Sequence, residues 1–205
     1  DALTTGEKNI AIGVNALGSD TTGGRTVAIG QGALTTQNHT DGTTTYNVAI
    51  GYEAGAYVTT GTNNTFIGGL AGDATTTGAS NTAVGYNAGG ANTTGANNTF
   101  IGEDAGAANT TAGNNTFVGE RAGAANTTGD ESVAIGQYAY AANTTGVDNV
   151  AIGRSALSSN TTAHNNVAVG RSALLSNTTG TQNVAVGAGA LDANTTASNN
   201  TGLGY

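Results

Sequence analysis

The sequence predicts an all-β, parallel β-solenoid or β-roll with one 17-residue repeat per coil and about twelve coils. Three observations predict it. Glycines at positions 13, 30, 51, 68, 85, 102, 119, 136, 153, 170, 187 and 204 recur every 17 residues, with a single interval of 21. An aliphatic residue precedes each of them, from Ile12 and Ile29 to Val186 and Leu203, and a β-branched residue stands three places before, from Ile10 and Val27 to Val184 and Thr201. Helix is excluded by composition, because 34 of 205 residues are glycine and β-branched residues occupy the periodic positions.

The first element of each unit is the segment ending at the anchor glycine. Two β-branched or aliphatic residues two apart make a short strand, and the residue between them, usually Ala as in Ala151, faces the opposite side. An Asn opens nearly every strand, from Asn9 and Asn47 to Asn200, and is expected to stack with its neighbours as an amide ladder.

The second element follows the glycine. An alanine stands three residues after it, from Ala16 to Ala190, where only a small side chain fits. The next residue is Leu (as Leu157), Gly (as Gly106) or, once, Tyr140. In three units with Gly there, Phe66, Phe100 or Phe117 replaces the middle residue of the strand, which reads as two packing solutions for one layer. The third element is polar. Thr-Thr pairs recur in eleven units, preceded by Asn in the seven from Asn92 to Asn194, and are expected to form a second short strand between tight turns. Twelve coils at the spacing of strands in a sheet give a rod about 55–60 Å long. Residues 1–205 read as one repeat array, with residues 37–46 a loop insertion in the third repeat, and the array is expected to be a piece of a longer fibre.

Net charge is −8 with five basic residues, which argues against nucleic acid as a partner. Cysteine is absent, so there is neither a disulfide framework nor a thiolate metal site, and no stretch approaches the ~20 apolar residues needed for membrane insertion. His39 and His164 with scattered carboxylates give no metal-ligand spacing and no nucleophile–base pair, so neither cofactor nor catalysis is expected. Candidate ligand contacts are His39, Asp41 and Tyr46 in the insertion, since loops on rigid scaffolds collect binding residues. Arg154 and Arg171 join them, one coil apart, as a pair able to hold an acidic glycan. Glu103, Asp104 and Glu120 form a solvated acidic patch.

Segments such as Ser132-Val133-Ala134-Ile135-Gly136 followed by Ala139, and Asn149-Val150-Ala151-Ile152-Gly153 followed by Ala156, resemble the head repeats of trimeric autotransporter adhesins. Similar repeats occur in some bacteriophage tail fibres. The resemblance covers nearly the whole chain, although the repeat is a few residues longer than the usual head repeat. It implies a left-handed β-roll, a homotrimer, display at a bacterial cell surface in the extracellular space, and attachment to a host-surface glycan or protein. It also implies that the aliphatic pair fills each roll while the middle residue faces the other chains. That places Ala134, Ala151, Ala168, Ala185, Phe66, Phe100 and Phe117 at the trimer interface. Two further readings stand beside the adhesin: a tail fibre for host recognition, and an ice-binding solenoid that presents its threonine ladder to water.

Overall fold

The computed structural model describes residues 4–205; the first residues of the expected array, 1–3, lie outside the described residues. Twelve three-residue strands form one parallel sheet in chain order. They are β1 (Ile10–Ile12), β2 (Val27–Ile29), β3 (Val48–Ile50), β4 (Thr65–Ile67), β5 (Thr82–Val84), β6 (Thr99–Ile101), β7 (Thr116–Val118), β8 (Val133–Ile135), β9 (Val150–Ile152), β10 (Val167–Val169), β11 (Val184–Val186) and β12 (Thr201–Leu203). Each strand pairs with the same position of the next coil, as Thr99↔Thr116 and Phe100↔Phe117. The register crosses the insertion unchanged, with Val27 opposite Val48. The predicted β-solenoid with its 17-residue repeat is therefore the observed architecture.

The anchor glycine is where the chain leaves the sheet. Gly102 has φ +133°, and a Cβ there would come 2.6 Å from the carbonyl carbon and oxygen of Gly119 in the next coil. Stacked backbones at this corner leave no room for a side chain. Beyond the glycine, the backbone takes left-handed φ at the second and fourth residues of each turn, as at Ser155 (56°) and Leu157 (53°). Inter-coil bonds, such as Leu157 N–H donating to Ala173 O at 2.9 Å, hold this turn in place.

The interior corrects the sequence reading. Alternation along the strand is as expected, but the faces are reversed: Ala134, Ala151, Ala168 and Ala185 are 0 % exposed, and Phe66, Phe100 and Phe117 are 0–1 % exposed, within the single chain. They face the inside of the coil and line no surface at which another chain could meet them. The aliphatic pair points outward instead. The physical reason is volume. Each coil already encloses the buried Ala three after the glycine, the buried residue after that, and two inward polar columns, so the strand can contribute only one inward side chain.

That inward side chain is matched to its neighbours across coils. Phe66 lies against both Gly55 and Gly72, where a Cβ on Gly55 would sit 2.7 Å from the Phe66 ring. Phe100 in the same way fills the space over Gly89 and Gly106, with a Cβ at Gly89 falling 2.6 Å from Phe100 Cδ2. The absence of a Phe from β3 and β5 is thereby explained, because the aromatic ring of the following coil reaches back over their glycines. Phe100, Phe117 and Tyr140 stack as an aromatic column, with centroids 5.6 and 6.4 Å apart. Nothing in the structure explains why strands that open with Thr accompany glycine in the turn.

Two amide ladders close the polar sides. In the column that opens the strands, Asn64 N–H donates to Asn47 Oδ1 at 2.9 Å, while Asn64 Nδ2 donates to Gly78 O at 2.9 Å. In the column before the Thr-Thr pairs, Asn109 Nδ2 donates to Asn92 Oδ1 and Asn126 Nδ2 to Asn109 Oδ1, at 2.9 and 3.0 Å. These buried amides have their partners inside the protein, which is the condition for burying them at all. The Thr-Thr segments do not form the expected second strand. They are stacked bends, in which Thr76 N–H donates to Thr93 O at 2.8 Å and Thr93 N–H to Thr110 O at 2.8 Å.

Coil 8 carries the one aromatic variant of this scheme. Ser132 replaces the ladder Asn, and the buried Tyr140 hydroxyl donates to Gly146 O at 2.9 Å and accepts from Asn149 Nδ2 at 2.6 Å. Burial pushes the Tyr140 phenol well above its ordinary range, so it stays neutral. A phenol whose folded pKa is raised contributes stability that is complete below pH 10 and lost as pH rises further. Tyr140→Phe removes the hydroxyl between Asn149 and Gly146, but Asn149 Nδ2 still donates to Ala163 O at 2.8 Å and Gly146 O still accepts from Asn143 Nδ2 at 3.1 Å, so the expected cost is that of a net hydrogen bond, about 0.5–1.5 kcal/mol. A urea titration of both chains at neutral pH measures this; equal midpoints would contradict it.

Candidate functional site

Three surfaces carry the features that could be functional. The first is the outer face of the sheet. Along one column stand Ile50, Ile67, Ile101, Ile135, Ile152 and Val186, each 37–40 % exposed, with Val84, Val118 and Val169 between them and Ile29 before them. Beside it runs the column of β-branched residues that open the strands, half-buried from Val27 to Val184. Parallel pairing aligns both columns without interruption from β1 to β12. The result is a strip about 53 Å long, aliphatic throughout in the first column, while the second column is threonine at Thr65, Thr82, Thr99 and Thr116 and aliphatic elsewhere up to Val184.

The second surface is built by the insertion. Four extra residues do not project as a free loop; they fold back on coils 1 and 2. Thr22 Oγ1 donates to His39 O at 2.7 Å, Gly42 N–H donates to Thr22 Oγ1 at 3.0 Å, and Gly24 and Thr44 form a parallel bridge. His39 is 6 % exposed, and its Nε2 has no hydrogen-bond partner. As a surface ligand contact it is therefore corrected: its backbone N–H donates to Oδ1 of the buried Asp20 at 3.1 Å, a carboxylate that also accepts from Gly23 N–H at 3.1 Å and Gln37 Nε2 at 2.7 Å. Asp41 is exposed and turns the tip of the loop. Thr43 donates to its Oδ1 through both hydroxyl and backbone N–H, and these two bonds hold the Asp41 carboxyl below the usual carboxylate range. Tyr46 is 56 % exposed and lies under the Arg25 guanidinium, 5.8 Å from ring centroid to carbon.

Arg154 and Arg171 form the third feature. Both are exposed, at the position just after the anchor glycine in coils 9 and 10, so they stack on one edge about 4.8 Å apart. They lie about 34 Å along the rod from the insertion, and the candidate contacts thus split into two separate groups. Two members of the acidic patch have hydrogen-bond donors: Asp104 accepts from Asn87 Nδ2 at 2.7 Å, and Glu120 from Gln137 Nε2 at 2.8 Å and the Tyr138 hydroxyl at 3.3 Å.

Comparison of the chain with protein-family models, curated proteins and solved structures finds no match. The arrangement of side chains is what bears on function.

The threonine ladder is half consumed by the fold. The first Thr of each pair donates its hydroxyl to the next coil, as Thr93 Oγ1 to Thr110 O at 3.0 Å and Thr127 Oγ1 to Thr144 O at 2.9 Å. The second, as Thr94 or Thr128, is exposed, which leaves one column of unspent hydroxyls rather than two. Residues that the sequence reading did not single out are Lys8 and Arg25. The signal was present, since both stand five residues before an anchor glycine, directly in column with Tyr46.

Proposed function

We propose that the chain is a structural and adhesive surface fibre: a homotrimeric, left-handed β-roll that mediates attachment to a host cell, surface or matrix. The observation that carries this reading is the aliphatic outer face of the sheet. One unbroken aliphatic column runs the length of the rod, flanked by valines toward both ends and by threonines in the middle, and exposed apolar patches of this kind mark surfaces of association. It takes the place of the Ala/Phe face as the contact between chains. Three copies standing parallel would bury the strip around a common axis and leave the Thr-Thr bends, the insertion and the arginine edge outside, open to a glycan or protein on another surface. The number of copies, the handedness and the extracellular setting follow from the resemblance to trimeric autotransporter heads.

The same assembly serves the tail-fibre reading, which differs only in what carries the fibre. Ice binding has less support, because a single column of free threonine hydroxyls makes a narrow array. Beads coated with the assembled chain are expected to be retained on cell layers or matrix, and uncoated beads washed away. Equal retention would remove the adhesive half of the proposal.

A further inference from the structure

Lys8, Arg25 and Tyr46 occupy the same position in coils 1, 2 and 3, with φ of 63°, 60° and 52°, and all three are exposed. A groove runs beside them, lined by Thr5, Glu7, Lys8, Thr22, Arg25 and Thr44. Gly42 of the insertion closes one side, fixed there by its hydrogen bond to Thr22. The insertion thus builds a wall that no other coil possesses.

The groove shares with the Arg154 and Arg171 edge a pair of basic residues in adjacent coils and differs from it in the groups around them. In a chain of net charge −8, two of the five basic residues stand in adjacent coils. Arg25 is aimed by neutral groups: Nη1 donates to Thr44 Oγ1 at 3.0 Å, and the guanidinium lies over Tyr46. Neither contact neutralises its charge, and the hydrogen bond uses one of five guanidinium N–H groups, leaving a fork able to grip a carboxylate with two bonds. Among the described residues, Glu7 is the one carboxylate lining the groove, against Lys8 and Arg25. Thr44 Oγ1 accepts from Arg25 and so keeps its own hydrogen to donate. A planar cation and hydroxyls line the groove, and the exposed Tyr46 ring stands outside that lining, under the Arg25 guanidinium. A charged sugar needs such a set: a bidentate partner for the carboxylate, donors and acceptors for the hydroxyls, and a flat apolar surface close by for the ring.

We propose that this groove binds a carboxylated saccharide, its carboxylate held by Arg25 and Lys8, its hydroxyls by Thr44 and Thr5, and its ring against Tyr46. The proposal rests on the adhesive reading and names the ligand class for it.

Calorimetry on the intact chain tests it, with sialyllactose and trigalacturonate as carboxylated probes, lactose as the neutral one, and a sulfated heparin tetrasaccharide and inorganic phosphate as other anions. Arg25→Gln is a fair variant, because Gln182 stands at the same position of coil 11 with φ 58°. Arg121→Gln removes the same charge about 24 Å away. We expect at least one carboxylated probe to bind, Arg25→Gln and Lys8→Gln each to weaken it by tenfold or more, and Arg121→Gln to leave it unchanged. Binding of neither carboxylated probe, or equal binding of lactose, overturns the proposal. So does equally tight, Arg25-dependent binding of phosphate or the heparin fragment, and so does an Arg121→Gln loss that matches that of Arg25→Gln. The solution mass of each sample separates this outcome from the assembly: a monomer with Arg25-dependent binding keeps the groove and loses the trimer, and a trimer without binding does the reverse.

Discussion

Phe100→Ala is expected to destabilise the chain by about 3–5 kcal/mol, because it empties a space bounded by Gly89 and Gly106 that no other side chain can enter. The informative result is its rescue. Gly89→Leu alone overpacks the same layer, since its Cβ would lie 2.6 Å from Phe100 Cδ2, and should cost about 1–3 kcal/mol. Combined, the two substitutions give coil 5 the Ala-plus-Leu arrangement found around Leu157, which adopts φ 53° where Gly89 has 59°, while coil 6 keeps Gly106. The double variant should then be more stable than Phe100→Ala, with a favourable coupling of about 2 kcal/mol. Urea midpoints of the four chains decide it. Additive losses would mean that the aromatic and the turn residue do not share one layer.

A second large effect is expected on the outer face. Ile101→Asp combined with Ile135→Asp places two carboxylates on side chains that are 38 % and 40 % exposed and make no core contact. The coil should fold as before, because its interior and ladders are untouched. Association should fail, because burying unpaired carboxylates between chains costs several kcal/mol. A small species with unchanged β-type circular dichroism is the predicted outcome. An assembly that survives these substitutions would place the contact elsewhere.

These two experiments address the point at which sequence and structure part. Glycine spacing, the strand ending at each glycine, the buried alanine of the turn and the Asn ladder were all legible, because each follows from one steric or hydrogen-bonding demand repeated in register. Which face of the strand is inside was not, since alternation fixes only relative direction. The clue lay in the exchange between Phe and Gly. A phenylalanine can compensate for a missing Leu only if both point into the same space, and the turn residue is interior. The Thr-Thr segments misled for a different reason: β propensity there is overridden by bends whose inter-coil bonds satisfy the same backbone groups. The groove beside the insertion was hidden because His39, Asp41 and Tyr46 lie within one short segment of the chain, whereas the residues that share the groove's charge, Lys8 and Arg25, come from other coils.

The central claim is that the aliphatic strip joins three copies, and the solution mass of the intact chain by light scattering tests it most directly. The account predicts a species of about three times 19.8 kDa that persists on dilution into the micromolar range. A well-folded species of 19.8 kDa would contradict it, since the strip would then be a face that the fold leaves open to water.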